Sequence, residues 1–204
     1  GIRARTFVQR AVGGAIRLKW RARWSARSNW EEPVRRTASH GKQKQLVAAA
    51  ASLFHKRGVE ATSLKDVAEC SKIPLGSVHY YYPTKDDLTA AVVARRHQDV
   101  ASLTGQRAEV ADPAQRLIAL IDVWISDSDV DARYGCPIGS LCLEVARARR
   151  LDAAAPFKAL IAWCREQFRA LGQDRLSEIR AVHLTASLQG ISLLACVLAD
   201  PRLI

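Results

Sequence analysis

Residues 61–85 leave few folds open to this chain. Ser63 followed three residues later by Asp66 has the form of a capping box, and it starts a short helix with Leu64, Val67 and Ala68 on its buried face. Cys70-Ser71-Lys72-Ile73 makes a turn with Ile73 as an apolar plug. Pro74 then opens a further helix, at a position where a missing N–H costs nothing. Gly76 and Ser77 keep the outer face of that helix small, so its backbone can approach a partner closely. Upstream, Leu46, Val47, Ala50, Leu53 and Phe54 recur at helical spacing from about Lys42 to Arg57, and Gly58 ends that helix. Two short helices set across a tight turn are the layout of a helix-turn-helix, which lays its second helix in the DNA major groove.

The residues that follow carry polar chemistry. His79, Tyr80 and Tyr81 leave one short helix, and imidazole and hydroxyl groups suit both phosphates and base edges. Tyr82, just before Pro83, reads as a packing residue. Thr84 with Asp87 caps another helix, and Lys85 stands in its first turn, where the helix dipole disfavours a cation. A phosphate docked on that helix end would remove the penalty.

From Lys42 to Val93 the chain resembles the DNA-binding domain of the TetR family of bacterial transcriptional regulators. The resemblance rests on Phe54 to Gly58, on Ala61-Thr62-Ser63-Leu64-Lys65-Asp66-Val67-Ala68, and on Gly76 to Leu88. Two positions depart from the family pattern. His79 stands where a tyrosine commonly touches the DNA backbone, and Tyr82 replaces a phenylalanine. The resemblance implies a homodimer that places the helix from Pro74 to Tyr81 in successive major grooves of a pseudo-palindromic operator. Leu75, Gly76, Ser77 and Tyr80 are expected to face bases. Ser63, Lys65, His79, Tyr81 and Lys85 are expected to hold phosphates.

Charge agrees with a polyanionic partner, although its distribution matters. The formal charge is +11, but residues 1–40 hold ten Lys and Arg against two Glu and so supply +8 of it. That arm interleaves Trp20, Trp24 and Trp30 with arginines. Three readings stay open for it: an arm that embraces DNA, an amphipathic membrane-surface or transit-like segment, or a poorly ordered extension. Its apolar run is too short and too charged to span a bilayer, and it lacks the three-part plan of a secretory signal. The sequence contains no methionine, so its first residue is expected not to be the native start.

Beyond Thr84 the pattern is helical, with no strand-like alternation. One helix runs through Leu88, Ala91, Val92 and Arg95 towards Leu103. Asp112-Pro113 begins another bearing Leu117, Leu120, Ile121 and Trp124, and Asp127 to Arg133 reads as an acidic loop. Gly135-Cys136-Pro137 opens a helix with Ile138, Leu141, Cys142 and Val145. Pro156 begins one closed by Gly172, and the last runs from about Leu176 to Ala199. In that last helix Ala186, Gly190 and Ala195 are small enough to let a second helix pack close. The predicted fold is all-α: a basic extension over 1–40, a helix-turn-helix domain over 41–88 and a helical effector-binding and dimerisation bundle over 89–204.

The family resemblance implies that this bundle binds a small molecule and dimerises through its last two helices. Gly135-Cys136-Pro137-Ile138-Gly139 and Leu188-Gln189-Gly190 resemble motifs of one subgroup of that domain. The chain stops at Ile204, short of many relatives, so a smaller dimer interface or a clipped end is expected. Trp124, Cys142, Phe157, Trp163 and His183 are candidate pocket linings, being large or weakly polar groups on apolar faces. Each also reads as ordinary core, His183 included.

The five cysteines form no Cys-x-x-Cys pair and no zinc pattern, and they read as small buried apolar residues. Cys136 is set apart as a candidate redox sensor, because a helix N-terminus lowers a thiol's pKa. No metal, cofactor or catalytic centre is expected. The sequence has no nucleophile elbow, no phosphate-cradling loop and no His-Glu-x-x-His. The reading is therefore a cytoplasmic bacterial repressor released by a small molecule, with double-stranded DNA as partner and no membrane. The competing reading is a helical adaptor or membrane-surface protein that works through the Trp- and Arg-rich arm. Binding to anionic liposomes but not to duplex DNA would favour that one.

Overall fold

The computed structural model describes residues 38–148, 152–172 and 174–204, so the basic arm and the readings of it lie outside the described residues. Among the described residues there are helices and no strands. In chain order these are α1 (Ala38–Arg57), α2 (Leu64–Ser71), α3 (Leu75–Tyr81), α4 (Lys85–Gly105), α5 (Pro113–Ser126), α6 (Ser128–Tyr134), α7 (Pro137–Ala148), α8 (Ala155–Ala170) and α9 (Ser177–Leu198), with a final 3₁₀ turn at Pro201–Leu203.

Local chemistry sets most of the helix ends. Ser63 and Asp66 form a reciprocal capping box at the start of α2, and Thr84 and Asp87 form the same device at α4. Asp112 caps α5 with Pro113 in its first turn. Gly58, at φ 84°, returns its N–H to the Phe54 carbonyl and closes α1. The turn of the helix-turn-helix is a Schellman motif. Ile73 N–H reaches Ala68 O, Lys72 N–H reaches Glu69 O, and Lys72 takes the left-handed position at φ 54°. Ile73 is then buried as the plug.

A seven-residue helix such as α3 cannot persist alone in water, since nucleation outweighs so few hydrogen bonds. Tertiary packing holds it. Val78 is fully buried, with Tyr81 and Tyr82 partly buried against the same core. That core gathers Leu46, Leu53 and Phe54 of α1, Val67 of α2 and Leu88 and Val92 of α4, and it continues into Leu141, Cys142 and Val145 of α7. A second core joins Val100 of α4, Leu117, Leu120 and Trp124 of α5, Leu160 and Cys164 of α8, and Ala181 and Leu188 of α9. Helix α4 runs through both, and Ile138 touches both. At the far end of α4, the buried Arg107 guanidinium donates to the carbonyls of Leu103 and Ala119, which ties α4 to α5.

One expectation is corrected here. The stretch expected as a loop at Asp127 to Arg133 is helical for the most part: Asp131 points inward and accepts a hydrogen bond from Ser192 Oγ at 2.7 Å, anchoring α6 on α9. Of the small residues in α9, Ala195 lies in the interior and Ala186 on the outside. The outer face of α9 is apolar: Ile179, Val182, Leu193, Leu194 and Val197 are exposed, the last at 72%. By length and composition α9 is also apolar enough to cross a membrane, but its other face is packed on α6 and α8.

Candidate nucleic-acid interface

Helix α3, the second helix of the helix-turn-helix, presents a mixed apolar and polar outer surface. Leu75, Gly76, His79 and Tyr80 are exposed, Tyr80 at 80%, while Ser77 is half-buried beside the buried Val78. A Cβ added at Gly76 would meet nothing within 4 Å, so that backbone is open to an approaching partner. Tyr80 packs edge-on against Tyr81, ring centroids 5.1 Å apart, which steadies an otherwise free side chain. Lys65 is exposed near the start of α2.

Two of the expected phosphate contacts are already occupied in the free protein. The Ser63 hydroxyl donates to Asp66 Oδ2 at 2.6 Å and accepts the Asp66 N–H at 3.1 Å. The bond from the Ser63 hydroxyl, together with one from the Ser63 N–H to the same oxygen at 2.7 Å, holds the Asp66 carboxyl below its ordinary value. The Lys85 ammonium donates to the Glu60 carbonyl at 3.1 Å and stands 3.9 Å from the Glu60 carboxylate. With Asp86 and Asp87 in the same first turn, the unfavourable effect of the helix dipole on Lys85 is offset without any ligand.

The bundle treats the other expected residues differently. His183 is exposed on the outer side of α9, not in the interior, so it is removed from the pocket set. Cys142 and Phe157 pack with the core under the helix-turn-helix, whereas Trp124 and Trp163 belong to the second core. The remaining four thus do not share one cluster. Trp124 is buried, and its indole N–H has no acceptor among the described residues. Cys136 is also corrected. Burial pushes its thiol up, and the amides of Gly139 and Ile138 at the start of α7 only partly oppose that. Burial likewise raises Cys142 to about 11 and Cys164 to about 12. Cys70 departs from the buried reading altogether, being exposed on α2.

Residues that no motif marked join the reading head to the bundle. His55 Nε2 donates to the Gly135 carbonyl at 2.7 Å, which places the proton on Nε2, and its ring meets Tyr134 edge-on. Glu144 accepts the Val59 N–H at 2.8 Å and the Glu60 N–H at 2.7 Å. Gln189 donates to Cys136 Sγ at 3.4 Å, and its side-chain oxygen lies where a Cβ on Gly139 would stand. The two bundle motifs read from the sequence therefore touch each other. His55 and Glu144 gave one faint signal, a polar residue beside core positions of an apolar helix.

His55 gives this junction a pH dependence. Burial, with Arg96 and Lys56 nearby, holds the imidazole below its ordinary 6.5, against the Gly135 hydrogen bond that raises it. Well above pH 6.5 the group is neutral in both states and contributes nothing. As pH falls below 6.5 the unfolded chain takes up a proton that the folded chain resists, so stability declines until the lower folded pKa is passed. His55→Gln keeps an N–H donor and is expected to remove that share of the acid sensitivity. Melting curves at pH 7.5 and 5.5 check it, and an unchanged difference between the two would refute it.

Comparison with known proteins agrees with this geometry. The pattern of the bacterial regulatory proteins of the tetR family matches residues 46–92. An uncharacterized HTH-type transcriptional regulator of Mycobacterium tuberculosis is 32% identical over 172 residues, covering 78% of this chain and 87% of that one. A TetR transcriptional regulator from Legionella pneumophila superposes with a TM-score of 0.69 at 22% identity, over 84% of this chain and 93% of its own. The multidrug binding protein EbrR, solved with malachite green, has a TM-score of 0.58 at 23% identity, over 78% and 89% of the two chains.

Proposed function

The chain belongs to the TetR family of helix-turn-helix transcriptional regulators, and from that premise we propose that it is a homodimeric repressor released by a small molecule. The observation that carries this is the pairing of two faces on one body. A recognition helix offers Leu75, Gly76, Ser77 and Tyr80 to base edges, and α9 leaves an apolar outer stripe without a partner among the described residues. Ile179, Val182, Ala186, Gly190, Leu193 and Val197 succeed one another at helical spacing along that stripe, with the two small residues at its middle. An exposed apolar stripe of this length is covered by a second copy, and two-fold symmetry then presents two reading heads to an inverted repeat.

Residues 41–88 act in this reading as the DNA-binding part and 89–204 as the effector-binding and dimerisation part, in the cytoplasm of a bacterium. Ser63, Lys65, His79, Tyr81 and Lys85 hold phosphates, and Lys85 does so by trading or sharing its bond to the Glu60 carbonyl. The effector lies in the bundle near Trp124, whose buried N–H offers a hydrogen bond that the described residues do not accept. The malachite green complex of EbrR is a precedent for a bound small molecule in this fold. Release follows only if the effector binds the DNA-incompetent arrangement more tightly than the competent one.

Selection of bound duplexes from a random library tests the reading, run with the full chain and with a chain beginning at Thr37. Enrichment of one inverted repeat by both is the expected result. Binding by the full chain alone, with no motif and steep salt dependence, would transfer the affinity to the basic arm and end the reading.

A further inference from the structure

Besides the continuous helix α4, the reading head meets the bundle along α7. Leu141, Cys142 and Val145 of α7 sit in the core beneath α1. At one end of that contact the Gly135 carbonyl, just before α7, accepts from His55. Further along α7, the Glu144 carboxylate takes both amides that follow the C-terminus of α1, at 2.8 and 2.7 Å. Gly58 lies in the left-handed region beneath it, with a built Cβ only 3.2 Å from Glu144 Oε2. The cleft there, lined by Val59, Glu60, Thr89, Glu144 and Val145 among others, has about 10 Å³ of room, one water's worth. The same loop reaches the first turn of α4 through the Glu60 carbonyl and Lys85. On its other side the start of α7 is fastened to α9 by Gln189, over Gly139 and Cys136. One short helix therefore touches both the reading head and the helix whose outer face is the dimer surface.

We propose that Glu144 is a positioning residue for operator recognition, which fixes each reading head against α7 and so sets the separation of the two recognition helices in the dimer. The inference rests on the dimeric reading above. Charge-assisted hydrogen bonds from two adjacent amides to one carboxylate are short and directional, and they leave the loop between α1 and α2 little freedom to tilt. Without them the head still folds on its own core of Leu46, Phe54, Val67 and Val78 and stays in contact with α7 through Leu141, Val145 and the His55 bond, but the loop between α1 and α2 loses its directional fastening. A loose head reads a half-site as well as before and discriminates poorly between spacings. Each added base pair moves a half-site by about 3.4 Å along the helix axis.

The test uses the full chain as wild type, Glu144→Ala and Glu144→Gln. The probes are the inverted repeat selected by the wild type, the same repeat with its spacer changed by one and two base pairs, and an isolated half-site. Wild type is expected to lose about tenfold in affinity per base pair of spacer change. Glu144→Ala is expected to bind all spacers within about threefold while matching wild type on the half-site. Glu144→Gln, with one acceptor oxygen in place of two, falls between them, and it carries the test alone if the alanine variant does not fold. A spacing profile in the variants as sharp as wild type, or an equal loss on half-site and full repeat, overturns the inference and leaves the regulator reading standing. A wild type that selects no repeat overturns both.

Discussion

Leu193→Asp combined with Val197→Asp is expected to yield a monomer whose affinity for the inverted repeat falls by roughly 10²–10⁴-fold, the advantage conferred by linking two half-site contacts. Both side chains are exposed on the outer stripe of α9, at 62% and 72%. Neither contributes to the inner packing supplied by Ala181, Leu188 and Ala195, so the substitutions leave each subunit folded. Four carboxylates brought together across a two-fold axis cannot be desolvated without opposite charges to pair with. Sedimentation checks the first half of the prediction and operator titration the second. The melting temperature of the wild type should rise with protein concentration, as for any dimer, and that of the variant should not. A double variant that still sediments as a dimer would place the interface elsewhere.

Tyr80→Ala and Lys85→Ala are expected to fail in different ways, and the contrast separates base reading from phosphate holding. Tyr80 is 80% exposed, so its removal costs the fold little, and the absence of a base-reading group is worth about 1–3 kcal/mol on the preferred sequence only. Tyr80→Ala therefore lowers cognate affinity by roughly tenfold to a hundredfold while nonspecific binding holds steady. Lys85→Ala weakens every duplex alike, and the slope of log affinity against log salt becomes shallower by about 0.9, because one phosphate is no longer neutralised. Among the described residues its ammonium is held by the Glu60 carbonyl and a 3.9 Å approach to the carboxylate, on the exposed side of the head. Such a pair adds little stability, so the melting temperature is expected to move hardly at all. An unchanged salt slope would remove Lys85 from the interface. An unchanged sequence preference in Tyr80→Ala would do the same for that ring.

The outer face of α3 and the junction behind it differ in how they could be known. The two capping boxes, the glycine that closes α1, the Schellman turn at Lys72 and the proline that starts α5 are all set by residues within a few positions of one another. Short-range hydrogen bonds and backbone preferences decide them, and so the sequence alone determined these helix ends, the helix-turn-helix and the family. The loop expected at Asp127 to Arg133 failed because local polarity was read as solvent. Only the packing of α6 on α9 gives Asp131 its buried partner, Ser192. The reactivity expected of Cys136 follows from the helix dipole, a local effect, and burial by distant segments outweighs it. The inward position expected for His183 does not hold because α9 is apolar on nearly every side, and periodicity cannot orient a helix that has no polar face. Glu144 and His55 find their partners some 80 positions away in the chain, at Val59, Glu60 and Gly135. The sequence by itself thus determined that this chain is a helical DNA reader. Only the tertiary structure decided which side of α9 faces outward and which helix holds the reading head, because both depend on contacts between segments that no local rule brings together.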